Sequence, residues 1–547
     1  MGVSSGPWFV CLPDHPGARA AAETFLAGCP RVVHHRSGRP WLAGDWPEGW
    51  LRTRTHAPTL FGPEPGNEHT CHVLSNDDGR LRLRGTLSGG ARLFHARLAG
   101  LTVVADRADV LAGLVGAELD QERIAAHLFD LPIEPVPPWR GVHAVRPDHA
   151  IEIDPDGRAR LVRVWSPPEP ELPLEPGARA VASALRESVH AHLGAGVRSA
   201  DLSGGLGSTS LCFLAEGLTT VVTTVSDDPA DDDLDWAERA LRHLPPVEHL
   251  TVTPGQYGMP YDQAVRSGQR VDLPFRELRA FGMFRAQGEM LAAKGSQVHM
   301  TGYGADRLFV PPASYLARLA RRRPLLALSH LRAMGPSRSL VRMMADTSAY
   351  GDWFRSGRWG GPVVFPAWVT PEAASGIRRL CGEAAEQGPY AGDPTQHRTL
   401  RRLWRATLLT RQLDQAGADL GLRTVHPFCD GPLAEAVLRV RPEERGDPRR
   451  HRPLLVASMR GIVPAENLGR TSRGRAGIDA RAGMRGNQAE LLTLCDDSIL
   501  GELGLIDPDV LRRTLLGPIR HDALAQTLAC EAWLRGRRSA VVLRKSA

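Results

Sequence analysis

The segment Ala200-Asp201-Leu202-Ser203-Gly204-Gly205-Leu206-Gly207-Ser208-Thr209-Ser210 has the residue types of a phosphate cradle. Glycines let the backbone approach a polyphosphate closely, and the hydroxyls of Ser203, Ser208 and Thr209 add donors. The run leaves a strand-like stretch, Val197 to Leu202, and opens a helix-like one, Ser208 to Glu216. A helix N-terminus would then turn its unpaired N–H groups and partial positive charge toward an anion. No G-x-x-x-x-G-K-[ST] is present, so this is not a Walker loop; a small-residue turn in an α/β domain is the competing reading. A second run, Val298-His299-Met300-Thr301-Gly302-Tyr303-Gly304-Ala305-Asp306-Arg307-Leu308-Phe309, also leaves a strand for a Gly-rich turn. Asp306 would project a carboxylate toward the phosphates as a Mg²⁺ ligand, or would cap a helix. A third run, Val425-His426-Pro427-Phe428-Cys429-Asp430, is strand-like and ends in Asp.

Such residues meet only if a scaffold brings them together. Beyond residue 177, helix-like stretches (Ala178 to Leu193, Ser208 to Glu216, Asp231 to Leu244, Leu278 to Ala293) alternate with strand-like ones (Val197 to Leu202, Val221 to Val225, Val247 to Val252, Val298 to Thr301). This spacing predicts a doubly wound parallel sheet, in which strand C-termini converge on one crevice. From about Ala313 onward the chain reads as mostly helical. Before residue 166, short strands and turns predict an α+β domain: Trp8 to Leu12, Leu81 to Leu87, Leu93 to Leu98, Leu101 to Ala105, and a late hairpin after Ile151. Between them, residues 166–177 read SPPEPELPLEPG. Five prolines in that stretch predict an extended linker without helix or central strand. The expected organisation is therefore residues 1–165, a Pro/Glu-rich linker over 166–177, and 178–547.

The 547 residues are 42% apolar and 23% charged, as in ordinary globular proteins. Net charge is +6 with basic and acidic residues interleaved, which disfavours nucleic acid as a partner. Only Lys294 and Lys545 are lysines; the other basic residues are arginine. The acidic cluster Asp227 to Asp235 reads as a solvated helix start. Eight cysteines occur without a C-x-x-C pair, which excludes a zinc motif and suits reduced thiols in a cytoplasm. The start Met1 to Gly6 has no charged n-region of a signal peptide. No apolar run approaches the ~20 residues of a membrane span.

Together, in this order, the three runs resemble the asparagine synthetase superfamily, whose synthetase domain carries SGGxDS, a G-x-G-[AG]-D turn and a PFLD-like segment. The stretch from Asp106 through Trp139-Arg140-Gly141-Val142 and Val145-Arg146-Pro147-Asp148-His149 to Val164-Trp165 resembles the second half of that family's glutaminase-like domain. The resemblance implies an N-terminal Ntn-glutaminase-like domain followed by an ATP-pyrophosphatase (adenine nucleotide α-hydrolase-like) domain. It also implies ATP and Mg²⁺ as cofactors of an AMP-forming amide ligase. By residue, it implies ATP or pyrophosphate contacts at Leu202, Ser203, Gly204, Gly205, Ser208, Thr209 and Gly302. Adenine would be read near Val225, and Mg²⁺ would be bound by Asp306.

Departures from the family pattern indicate a branch. Glutamine-hydrolysing members carry a cysteine at position two, where this sequence has Gly2; Cys11 lies within a strand-like run. A tethered amine then replaces ammonia, as in β-lactam synthetases or the lasso-peptide macrolactam cyclases. The stretches Arg452-Pro453-Leu454-Leu455, Met459 to Pro464 and Leu528 to Arg535 resemble the cyclases most. That branch implies a ribosomal precursor peptide as substrate, with a leader-binding protein and a leader peptidase as partners. Gly207 stands where the family has a metal-binding Asp. Arg473 stands where it has a catalytic lysine; an arginine can hold phosphate but cannot shuttle a proton. Tyr303 matches the tyrosine that serves the amine in β-lactam synthetases and is the candidate base. Two other readings remain: a small-molecule amide ligase of the β-lactam or asparagine type, and a catalytically degenerate partner protein.

Overall fold

The computed structural model describes residues 6–54, 57–63, 68–193, 196–269, 271–275, 277–335, 337–352, 359–360, 363–472, 474, 477–517 and 521–545. Gly2 and Arg473 lie outside the described residues.

Residues 8–163 form two six-stranded sheets. The first runs His143–Val145, Leu93–Leu98, Leu101–Ala105, Trp8–Cys11, Pro40–Asp45 and Arg31–His34. The second runs Ala159–Arg163, His149–Ile153, Arg80–Arg84, His72–Asp77, Ala57–Phe61 and Leu51–Arg54. Every pairing is antiparallel. Strand residues alternate faces, so Phe9, Leu42, Leu74, Leu83 and Ile151 fill the space between the sheets. Val10, Phe94 and Val103 point the other way. They pack on a helical layer that continues into Leu511, Leu528 and Trp533 near the C-terminus. The N-terminal sheets therefore share a core with the C-terminal helices.

The remaining chain is built on a parallel five-stranded sheet: β1 (Arg198–Asp201), β2 (Leu218–Thr224), β3 (Glu248–Val252), β4 (Val298–Met300) and β5 (Arg423–Val425), in the order β3-β2-β1-β4-β5. Its helices include α1 (Leu174–Leu193), α2 (Leu206–Leu214), α3 (Asp233–Leu241), α4 (Ala305–Phe309) and α5 (Pro394–Ala416). The doubly wound sheet with a mostly helical C-terminal part is the architecture expected from the alternation.

The proline-rich stretch departs from expectation. Helix α1 begins at Leu174, inside residues 166–177, with Pro176 in its first turn. Proline is harmless there because first-turn N–H groups lack intrahelical partners. One such donor, the Leu174 N–H, bonds the Glu444 carboxylate at 2.7 Å. Leu172 exchanges backbone bonds with Arg439 and Arg441 at 2.9 and 3.1 Å. This stretch is stapled to the C-terminal part instead of hanging free.

Helix α5 is the spine between the halves. The Trp404 indole N–H donates to Leu87 O at 2.9 Å, Thr407 Oγ1 to Ser88 O at 2.7 Å, and Arg411 to Asp106 O and the Asp272 carboxylate, both at 2.7 Å. Asp106 accepts the Phe9 N–H at 2.8 Å, and burial pushes its carboxyl up to about 7. A raised folded value means that the native state holds the proton more tightly than the unfolded chain. The stabilisation is complete below about pH 4 and is lost as pH rises through about 7. Asp106→Asn keeps the acceptor for Phe9 and removes the titration. Its melting temperature relative to wild type is expected to rise by a few degrees from pH 5 to pH 8. A difference that stays flat with pH would sink this reading.

Candidate functional site

In the order β3-β2-β1-β4-β5 the winding reverses between β1 and β4. Open α/β sheets place ligand crevices at that point, outside the strand C-termini. The loop after β1 and the turn after β4 carry the first two sequence runs to this place.

The loop's conformation follows from its residues. Gly204 has φ +63°, and a Cβ there would lie 2.4 Å from Trp236 Cβ and 2.7 Å from the Ala237 nitrogen. Only glycine lets the loop settle on α3. Gly205 is the N-cap of α2. Ser208 Oγ accepts the Ser203 N–H at 3.1 Å, lies 2.9 Å from Ser203 Oγ and donates to Gly205 O at 3.2 Å. Helix α2 is buried nearly all round, Phe213 being its one part-exposed residue.

All three sequence runs touch. A Cβ on Gly302 would lie 2.8 Å from the Ser208 nitrogen. One on Gly304 (φ +98°) would lie 2.7 Å from Cys429 Sγ. Gly207 faces Ala305 Cβ at 3.1 Å and the Phe428 ring at 3.7 Å, measured from the Cβ it would carry. The glycines are spaced to let three backbone segments close on one another.

Ser203, Gly204, Gly205, Ser208, Gly302 and Asp306 gather at this junction. Leu202 does not offer its main chain: its N–H bonds Val222 O at 2.7 Å, and its carbonyl accepts Thr223 Oγ1 at 2.6 Å. Thr209, expected as a hydroxyl donor to phosphate, is fully buried inside α2, with its hydroxyl facing no partner. The Val225 N–H, expected near adenine, is committed to Val252 O at 2.7 Å. The third run's Asp430 turns inward. It accepts from Ser188 and lies 3.0 Å from His192 Nε2, clasping α1. Tyr303 leaves the junction on its other side and lines a neighbouring cleft.

Arginines that sequence reasoning passed over sit at the junction. Arg470, whose side chain is 3% exposed, donates to Ser203 O at 3.0 Å, Asp232 Oδ1 at 2.7 Å and Asp233 Oδ1 at 2.5 Å. Ser472 Oγ completes the cluster, donating to Asp232 at 2.6 Å. The acidic cluster therefore contributes a buried anchor for the loop, where a solvated face was expected. Its signal was the pairing of Asp232-Asp233 with an arginine near Thr471 to Gly474. That pairing is visible only after folding.

Asp306 is ion-paired with Arg452, and its carboxylate is 67% exposed. Gly207 supplies no second carboxylate. Among the described residues, no three His, Cys, Asp or Glu side chains are arranged to hold a metal. Mg²⁺ is held by one or two carboxylates together with phosphate oxygens and water; here Gly207 offers none and Asp306 faces a guanidinium. The residues present do not fit a protein-held magnesium ion.

The arrangement is an α/β crevice built from a Ser/Gly loop, a Gly-rich turn and a buried arginine anchor. Residues 180–535 match the family model for asparagine synthase, and the chain belongs to that family. No curated protein matches the sequence. Among solved structures, the chain is similar to the NMN synthetase of Francisella tularensis, at 20% identity over 25% of this chain and 58% of that one, with a TM-score of 0.18. It is also similar to the glutamine PRPP amidotransferase of B. subtilis, complexed with ADP and GMP, at 9% identity over 58% of this chain and 71% of that one, with a TM-score of 0.18. The chain spans little more than half the length of the first. Among the described residues, no helix is long and apolar enough to cross a membrane.

Proposed function

We propose that the protein closes a macrolactam ring in a ribosomal lasso-type peptide at the expense of ATP. The phosphates lie over the N-terminus of α2, between Ser203 to Ser208 and the Gly302 turn. A side-chain carboxylate of the peptide attacks the α-phosphorus, and the bond to pyrophosphate breaks, giving an acyl-adenylate. The peptide's N-terminal amine then attacks the acyl carbon, AMP leaves, and Tyr303 takes the amine proton. Tethering amine and acyl group in one chain replaces a bimolecular encounter.

The observation that carries this reading is the closure of the two glycine-bearing runs on each other and on the Val425 to Asp430 run at the switch point. An amine other than ammonia from glutamine fits the cysteines: burial pushes the Cys11, Cys212 and Cys429 thiols far above their ordinary value. None of these is a poised thiolate. A second reading, a non-catalytic partner of such a system, is favoured by Gly207 and by the Arg452–Asp306 pair.

Calorimetric titration with ATP, with and without Mg²⁺, tests the proposal. ATP is expected to bind, and Asp306→Ala to change its magnesium dependence by less than about threefold, because Asp306 already has a cationic partner. A loss of about tenfold would restore Asp306 as a metal ligand. Absence of binding at millimolar ATP would leave the non-catalytic reading.

A further inference from the structure

The cleft beside the junction has a composition that the nucleotide chemistry does not use. It encloses about 340 Å³, and five arginines line it: Arg279, Arg307, Arg401, Arg402 and Arg405. Two lining acids neutralise two of these cations: Asp130 pairs with Arg405, and Glu277 with Arg279 at 3.1 Å. Among the described residues, no carboxylate pairs with Arg307, Arg401 or Arg402. Arg402 has a single carbonyl partner, Val310 O at 3.2 Å. Arg401 is the most telling: its Nε and Nη1 are buried and have no hydrogen-bond partner.

Three guanidiniums that repel one another around one cleft are costly, and unpaired buried donors add to that cost. The repulsion is felt at Arg402, whose pKa is lowered by burial and then by Arg307 and Arg401. Helix α5 is otherwise a buried spine, so Arg401 and Arg402 are not part of a solvated stripe; Arg307, on α4, is exposed. A ligand bearing several oxyanions would satisfy all three at once, since a guanidinium binds carboxylate or phosphate through paired donors. Tyr303 of the turn after β4 and Arg307 of α4, on either side of Asp306 in sequence, place that ligand against the junction.

We infer that this cleft binds a multiply charged oxyanion ligand through Arg307, Arg401 and Arg402. It receives acidic residues of the acyl substrate beside the carboxylate to be activated; this substrate assignment rests on the proposed function. The apolar and aromatic part of the lining, Tyr303, Ala406 and Leu409, suits side chains better than a bare phosphate.

The test is titration of the full chain with hexaglutamate and, separately, with inorganic pyrophosphate, both without ATP. Wild type is expected to bind hexaglutamate. Arg401→Met is expected to weaken binding by about tenfold while leaving the melting temperature equal or higher, because a buried unpaired charge is removed. Arg36→Met, an exposed site in the N-terminal half, is the control for non-specific attraction. Binding weakened equally by both substitutions overturns the site. So does unchanged binding in Arg401→Met with a lowered melting temperature, which makes the guanidinium structural. Pyrophosphate binding sensitive to Arg401→Met, with none for hexaglutamate, keeps the oxyanion site and overturns its peptide assignment. Hexaglutamate binding in a protein that fails to bind ATP upholds the site and removes the ligase reading.

Discussion

Arg470→Met is expected to destabilise the protein by about 3–5 kcal/mol, the cost of removing one partner from a buried ion-paired cluster. Arg470 is the hub of the loop: Ser203 O, Asp232, Asp233 and Ser472 all depend on its donors. Its removal leaves Asp233 half-buried with no cation, and burial already pushes that carboxyl up. Arg470→Lys is expected to recover only part of the loss, because one ammonium cannot span the acceptors that a planar guanidinium bridges. Adding Asp233→Asn to Arg470→Met should recover another part by removing the stranded charge. Thermal or urea unfolding checks all three variants. Arg470→Met with wild-type stability would show that the cluster is held by something else.

Gly204→Ala is the second large effect, expected at roughly 3 kcal/mol or more. The left-handed φ of +63° contributes about 1–2 kcal/mol for any residue bearing a Cβ. The greater part is steric. The added methyl would sit 2.4 Å from Trp236 Cβ, 2.7 Å from the Ala237 nitrogen and 2.8 Å from Asp233 O. Backbone atoms of α3 cannot yield without moving the acidic anchor. The neighbouring Gly205→Ala is the control. Gly205 has φ −68°, and its Cβ would meet only Ser203 Oγ at 3.2 Å, a group able to rotate. It should cost less than about 1 kcal/mol. Equal costs in the two variants would contradict the loop conformation described here.

Much of the architecture was legible because it rests on local periodicity. β-branched runs alternating with amphipathic helices appear at the spacing of a parallel sheet, and each expected strand of that sheet is present with ends shifted by a few residues. The N-terminal half was read less completely. The strands Arg31–His34 and Pro40–Asp45 of one sheet, and Leu51–Arg54 and Ala57–Phe61 of the other, are short and lie among Pro, Gly and Trp, so their alternation does not show in the sequence. Helix α1 was cut short because Pro176 reads locally as a breaker, while its first-turn donor is met by Glu444, far away in sequence.

For the site, the sequence alone determined which backbone segments could close on one another. Gly204, Gly302 and Gly304 are required by conformation or close approach, and a residue type carries that information wherever it stands. Charge partnership is different. Asp306 as a metal ligand, the acidic cluster as a solvated face and Thr209 as a phosphate donor all followed from residue type. Tertiary structure gave Asp306 the Arg452 guanidinium as a partner, anchored Asp232 and Asp233 on Arg470, and put Thr209 in the interior of α2. The physical reason is range: a backbone conformation is set within a few residues, whereas what a carboxylate or hydroxyl does depends on the dielectric around it and on the nearest opposite charge. Folding brings both from hundreds of residues away.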